Sequence, residues 1–73
     1  MQFQVELKGK RKPVEFYFPN DKPIEAYRDY LADKTKNAFV GNEGGYSIVL
    51  DFNEVAMMRG EPDPTFGITV ARS

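Results

Sequence analysis

"NEVAMMRG", residues 53–60, decides what kind of fold this chain has. With Asn53 as a cap, Arg59 late and Gly60 as terminator, it is a short second helix. With Asn53 and Glu54 as a turn, Val55 to Arg59 is a strand in a sheet. We read the strand. Upstream lies "YSIVLDF", residues 46–52, where Ile48, Leu50 and Phe52 share one face. Val49 takes the other face, so this strand is covered on both sides or lies at an interface. "AFVG" before it is also β-prone, and the "NEGG" between them, residues 42–45, is rich in residues that tolerate left-handed backbone. Downstream, "GEPDP" reads as a loop into "TFGITVA", in which Phe66, Ile68 and Val70 alternate.

The first half of the chain carries two clearer periods. Met1, Phe3, Val5 and Leu7 alternate with Gln2, Gln4, Glu6 and Lys8, the mark of a strand with one buried face. Gly9 supplies a turn, and Val14, Phe16 and Phe18 resume the inward phase, with Glu15 and Tyr17 outward. The two runs make an antiparallel hairpin, and Pro13 sits at the start of its second strand, where a missing N–H is tolerable. Pro19 stops that strand. Asp21 then reads as an N-cap and Pro23 falls in the first helical turn. Ile24, Tyr27 and Leu31 form an apolar stripe with Tyr30 beside it, opposite Glu25, Arg28, Asp29 and Asp33. Lys34, Lys36 and Asn37 close a helix of roughly three turns, positive charge meeting the C-terminal end of its dipole.

The expected fold is therefore α+β, in the order β-β-α-β-β-β-β, with one helix covering a single, mostly antiparallel sheet. Residues 1–73 read as one domain, near the lower size at which a core holds a chain together unaided. Small scaffolds usually add disulfides, a metal or self-association. Cysteine and histidine are both absent, so neither a disulfide nor a zinc site can form, and the acidic residues show no calcium-loop spacing. Self-association remains. No apolar run approaches the ~18 residues of a membrane span, and the alternating "MQFQVEL" is no signal segment. We expect a complete, cytoplasmic small protein.

"YSIVLDFNEVAMM", residues 46–58, behind a ββα start, resembles a pattern in small uncharacterised proteins of bacterial phages and mobile elements. The similar feature is an apolar strand, a short turn, then Val55 and Ala56 leading a second strand. The resemblance implies a phage or mobile-element origin; together with the small size of the chain it leads us to expect a modulator that docks on a host protein. It carries over no functional residue.

The side-chain inventory argues against catalysis. Without Cys or His the candidates are carboxylates, lysines, tyrosines and five hydroxyl residues, Thr35, Ser47, Thr65, Thr69 and Ser73. None sits in a nucleophile motif, and "GNEGG" lacks the lysine of a phosphate loop. We expect no enzyme and no cofactor. Lys8, Lys10, Arg11 and Lys12 gather in the hairpin turn, giving residues 1–12 a charge of 4 − 1 = +3 against 6 − 10 = −4 for the rest. With an outward Tyr17, this turn is the alternative nucleic-acid site. Charged turns also simply keep hairpins soluble.

A protein-binding surface is the favoured reading. Tyr17 and Val49 are out of phase with their strands' buried residues, Tyr30 lies beside a stripe that Leu31 already completes, and adjacent Met57 and Met58 must face opposite ways. These five are the expected contact residues, because no single one-sided core holds them all. The function expected is non-catalytic protein binding, through self-association, a host partner or both.

Overall fold

The computed structural model describes the backbone of residues 1–63 and 66–71 and the side chains of residues 1–61. The elements follow the expected order: β1 (Gln2–Leu7), β2 (Val14–Tyr17), α1 (Lys22–Ala32), β3 (Ala38–Glu43), β4 (Tyr46–Asp51), β5 (Val55–Asp63) and β6 (Phe66–Ala71). Residues 53–60 resolve as the strand reading has it, with a single 3-10 turn, Phe52–Glu54, ahead of β5.

The strands form two sheets rather than one. Four make an antiparallel sheet in the order β2-β1-β5-β6, and β3 pairs only with β4. The physical cause is the corner at Phe52–Glu54. Asp51 Oδ1 accepts from the Asn53 N–H (3.0 Å), the chain turns, and the Phe52 ring drops fully into the core instead of extending the face of β4. The chain thus leaves one layer at Asp51 and enters the other at Val55. A second correction concerns "GEPDP": β5 runs on through Asp63, with a register irregularity after Gly60, so no loop begins at Gly60. The facing of Phe66, Ile68 and Val70 lies outside the described side chains.

The β1–β2 hairpin aligns Phe3 with Phe16, and their rings stack with centroids 5.0 Å apart. Phe3, Val5 and Met58 point from the four-stranded sheet into a core shared with Ile24, Tyr27 and Tyr30 of α1, and with Phe18, Phe52 and Val55. The helix approaches closely because Gly60 has no side chain. A Cβ there would stand 2.7 Å from Ile24 Cδ1 and 2.9 Å from Phe3 Cε1.

Helix α1 starts and stops differently in detail from the sequence expectation. Asp21 is the N-cap residue, and its carbonyl accepts from the Ile24 and Glu25 N–H groups (3.0 and 3.1 Å), yet its carboxylate caps nothing. The capping side chain is Asn20, whose Oδ1 accepts from the Lys22 N–H at 3.0 Å. The last turn holds no basic residue. Asp33 ends the helix, accepting from the Thr35 N–H and hydroxyl (3.1 and 2.7 Å), and these bonds hold its carboxyl below the usual range. Lys34 instead lays its ammonium 4.5 Å from the Tyr30 ring centroid.

The β3–β4 hairpin is built by a two-residue turn. Gly44 and Gly45 both have positive φ (58° and 82°), as a type I′ connection requires. That turn fixes the register: Glu43 opposite Tyr46, Gly41 opposite Ile48, Val40 opposite Val49. Its inner face, with Phe39, Ile48 and Leu50, packs against the core. Its tip is tied down by Glu43, which accepts from the Lys22 ammonium and from Asn20 Nδ2 (2.6 Å). The Lys22 hydrogen bond, seconded by Asn20, holds the Glu43 carboxyl below the ordinary glutamate range.

Candidate interaction surface

The two layers do not close on the side where β2 and β4 run. Between them lies an open groove of about 340 Å³. The β1–β2 hairpin contributes Val5, Leu7, Val14 and Phe16, Val55 comes from β5, and Glu54 stands at the rim. From β4 come four consecutive residues, Ile48, Val49, Leu50 and Asp51. Successive strand residues face opposite ways, so a run of four means that the edge of β4, not only one face, borders the groove.

Hydrogen-bond parity says what that edge offers. The Phe52 N–H donates to the Asn37 carbonyl (2.9 Å). Counting back along the antiparallel register from that pair, residues 50, 48 and 46 turn their backbone groups toward β3. Ser47, Val49 and Asp51 therefore aim theirs away from it. The same count on β2, from the Phe18 N–H to the Met1 carbonyl (3.1 Å), points the backbone of Glu15 and Tyr17 outward. Among the described residues, neither edge has a strand partner. The far edge of the small sheet differs: β3 lies against α1.

Above the groove, the outer face of β3–β4 carries an exposed apolar pair. Val40 and Val49 sit directly opposite one another and are each 73% exposed. Val14 at the groove mouth is about half exposed, and so are Tyr17 and Tyr46, whose rings pack on each other at 4.8 Å between centroids. Among the described side chains, the outer face of the four-stranded sheet is mostly polar: Gln2, Gln4, Glu6 and Glu15 lie there beside Tyr17 and a half-buried Met57, and Arg59 and Glu61 form an ion pair at 2.9 Å. Of the exposed large apolar residues among the described side chains, Val40, Tyr46 and Val49 lie on the β3–β4 hairpin and Val14 and Tyr17 on β2.

The five expected contact residues divide. Val49 is exposed on the hairpin and Tyr17 is half exposed near its tip. Met57 is half-buried. Tyr30 and Met58 belong to the core, 3% and 0% exposed, and present nothing to a partner. Tyr30 goes inward because the 3-10 corner meets it there: its ring lies 5.6 Å from that of Phe52 and its hydroxyl 3.3 Å from Asn53 Oδ1. Met58 takes the inward phase of β5 opposite Val5. Val40, Val14 and Tyr46 belong to the surface as well. The two-glycine turn was the signal for Val40, since it alone sets Val40 against Val49.

Lys8, Lys10, Arg11 and Lys12 are exposed in the β1–β2 connection, whose start is fixed by the Lys8 N–H on the Glu54 carbonyl (2.9 Å). Tyr17 lies at the opposite end of β2, where it is covered on one side by Tyr46. Phosphate-binding charge and a stacking ring are therefore not brought together. The described residues contain no group of three or more His, Cys, Asp or Glu placed to hold a metal ion. No helix among them is long and apolar enough to cross a membrane.

No family model, curated protein or solved structure matches the chain.

Proposed function

We propose that the chain is a non-catalytic protein-binding domain whose working surface is the β4 side, where the Val40–Val49 pair meets the apolar groove. The observation that carries this reading is that pair: two β-branched side chains, 73% exposed and in register, beside an unpaired strand edge. Isolated exposed apolar residues are ordinary, but a contiguous patch continuous with a groove marks an interaction site. Two carboxylates near the surface are engaged structurally, which supports the non-catalytic part: Asp51 holds the corner and Glu43 the hairpin tip.

A combined Val40→Lys and Val49→Lys change is expected to weaken any specific complex by about tenfold or more, as charge placed in an apolar contact centre does. Lys10, Arg11 and Lys12 all changed to Glu should leave the same complex intact. Sedimentation of the purified chain and capture of a defined partner from a bacterial lysate are the two readouts. A complex abolished by the triple charge reversal but not by the valine changes would transfer the function to the basic turn. No complex in either readout would overturn the reading.

A further inference from the structure

We infer that the partner of β4 is a second copy of this chain, paired antiparallel along the β4 edge about a two-fold axis at Val49. The inference rests on the protein-binding reading and names its occupant. Three observations lead to it.

The first is an edge without protection. Natural sheets blunt their open edges with lysine, proline, inward charges or a covering element. The β3 edge has α1 against it. On β4, "YSIVL" from residue 46 to 50 carries no charge and no proline, is rich in β-formers, and has its hairpin clamped by Glu43, Lys22 and Asn20. A clamped edge with outward N–H and C=O groups, charged only at its last residue, Asp51, is a template for another strand.

The second is self-complementarity of register. Val49 turns both backbone groups outward, so Val49 of one copy can exchange two hydrogen bonds with Val49 of the other. Ser47 then falls opposite Asp51 of the second copy, and Ile48 opposite Leu50. No like charges are opposed. A shift of two residues in one direction would set Asp51 against Val49, and in the other against Gly45, and either breaks up the valine pair.

The third is continuity on both faces. On the outer face the pairing lines up Val40, Val49, then Val49 and Val40 of the second copy, one uninterrupted stripe. On the inner face Ile48 and Leu50 of the second copy extend the apolar layer that roofs the groove. An interface of the standard ~800 Å² per partner would take about one-sixth of the 4825 Å² surface of the chain.

The test is cysteine cross-linking, which is clean because the chain has no cysteine of its own. Directly opposed residues that share two hydrogen bonds have Cα atoms about 5.5 Å apart, within the span of a disulfide. Val49→Cys should therefore oxidise to a covalent dimer at least about tenfold faster than Ser47→Cys or Asp51→Cys, which face each other's native residues instead. Mixing the Ser47→Cys and Asp51→Cys chains should restore fast cross-linking as a heterodimer. Val49→Pro serves as a second variant: it removes only an outward N–H, so the fold should persist while the dimer is lost. Equal rates for all three single cysteines, or a dimer unaffected by Val49→Pro, overturns the inference. A monomer that still captures a partner through Val40 and Val49 overturns it too, while leaving the protein-binding reading in place; a chain that binds nothing removes both.

Discussion

Tyr27→Ala is expected to cost about 3–5 kcal/mol of folding stability, the range for removing a large buried aromatic ring. Tyr27 is fully buried, with Phe52 and Tyr30 ring centroids 5.3 and 6.0 Å away, and its hydroxyl donates to the Val55 carbonyl at 3.1 Å. It thus joins the helix to the corner that separates the two sheets. A chain of this size has roughly 4–11 kcal/mol of total stability at 0.05–0.15 kcal/mol per residue. The truncation should remove much of that and leave the variant largely unfolded at moderate urea. Tyr27→Phe keeps the ring and loses the hydroxyl, so it should cost only about 1 kcal/mol. Urea unfolding of the pair separates packing from hydrogen bonding. A loss below about 2 kcal/mol for Tyr27→Ala would place the centre of the core elsewhere.

Gly41→Val should be comparably damaging, at about 3 kcal/mol or more, through overpacking rather than a cavity. Gly41 lies in the middle of β3 with ordinary backbone, yet a Cβ there would stand 2.7 Å from both Phe18 Cζ and Phe39 Cε2. Those rings meet edge to face at 5.6 Å, and Phe18 is fully buried, so neither can swing aside freely. Gly45→Ala is the informative comparison. Open space surrounds that position, but its φ is +82°, so the cost there is about 1–2 kcal/mol of backbone strain alone. Equal losses at the two glycines, by the same unfolding measurement, would mean that β3 is not seated on Phe18.

How far the sequence speaks for this fold depends on which physical signal each element uses. The β1–β2 hairpin and α1 were legible because a one-sided core imposes its period locally: Phe3 and Val5 go in, Gln2 stays out, and Ile24 and Tyr27 fall on one stripe. The split into two sheets was not, because strand pairing is decided between distant segments. Phe52 continues the alternation of Ile48 and Leu50 and so reads as strand, whereas the Asp51 bond to Asn53 bends the chain at that residue. The helix cap illustrates a smaller ambiguity. Asp21 holds the N-cap position as expected, but Asn20 and Asp21 both have side chains suited to the capping bond, and only geometry gives it to Asn20.

The candidate surface was half visible for the same reason. Val49 betrays itself by phase alone, and adjacent Met57 and Met58 were bound to split, which they do, Met58 inward. Val40 needs the register that Gly44 and Gly45 impose before it can be seen as the neighbour of Val49. Tyr30 misled because a helical stripe can be wider than three positions when a second element, here the 3-10 corner, packs on its flank.

Amide hydrogen exchange measured at low and high protein concentration tests the β4 edge most directly. Self-pairing predicts that the Val49 and Asp51 amides, which donate to nothing within their own sheet, gain protection at high concentration while the Tyr17 amide on the β2 edge does not. Val49 and Asp51 amides that exchange equally fast at both concentrations would contradict it.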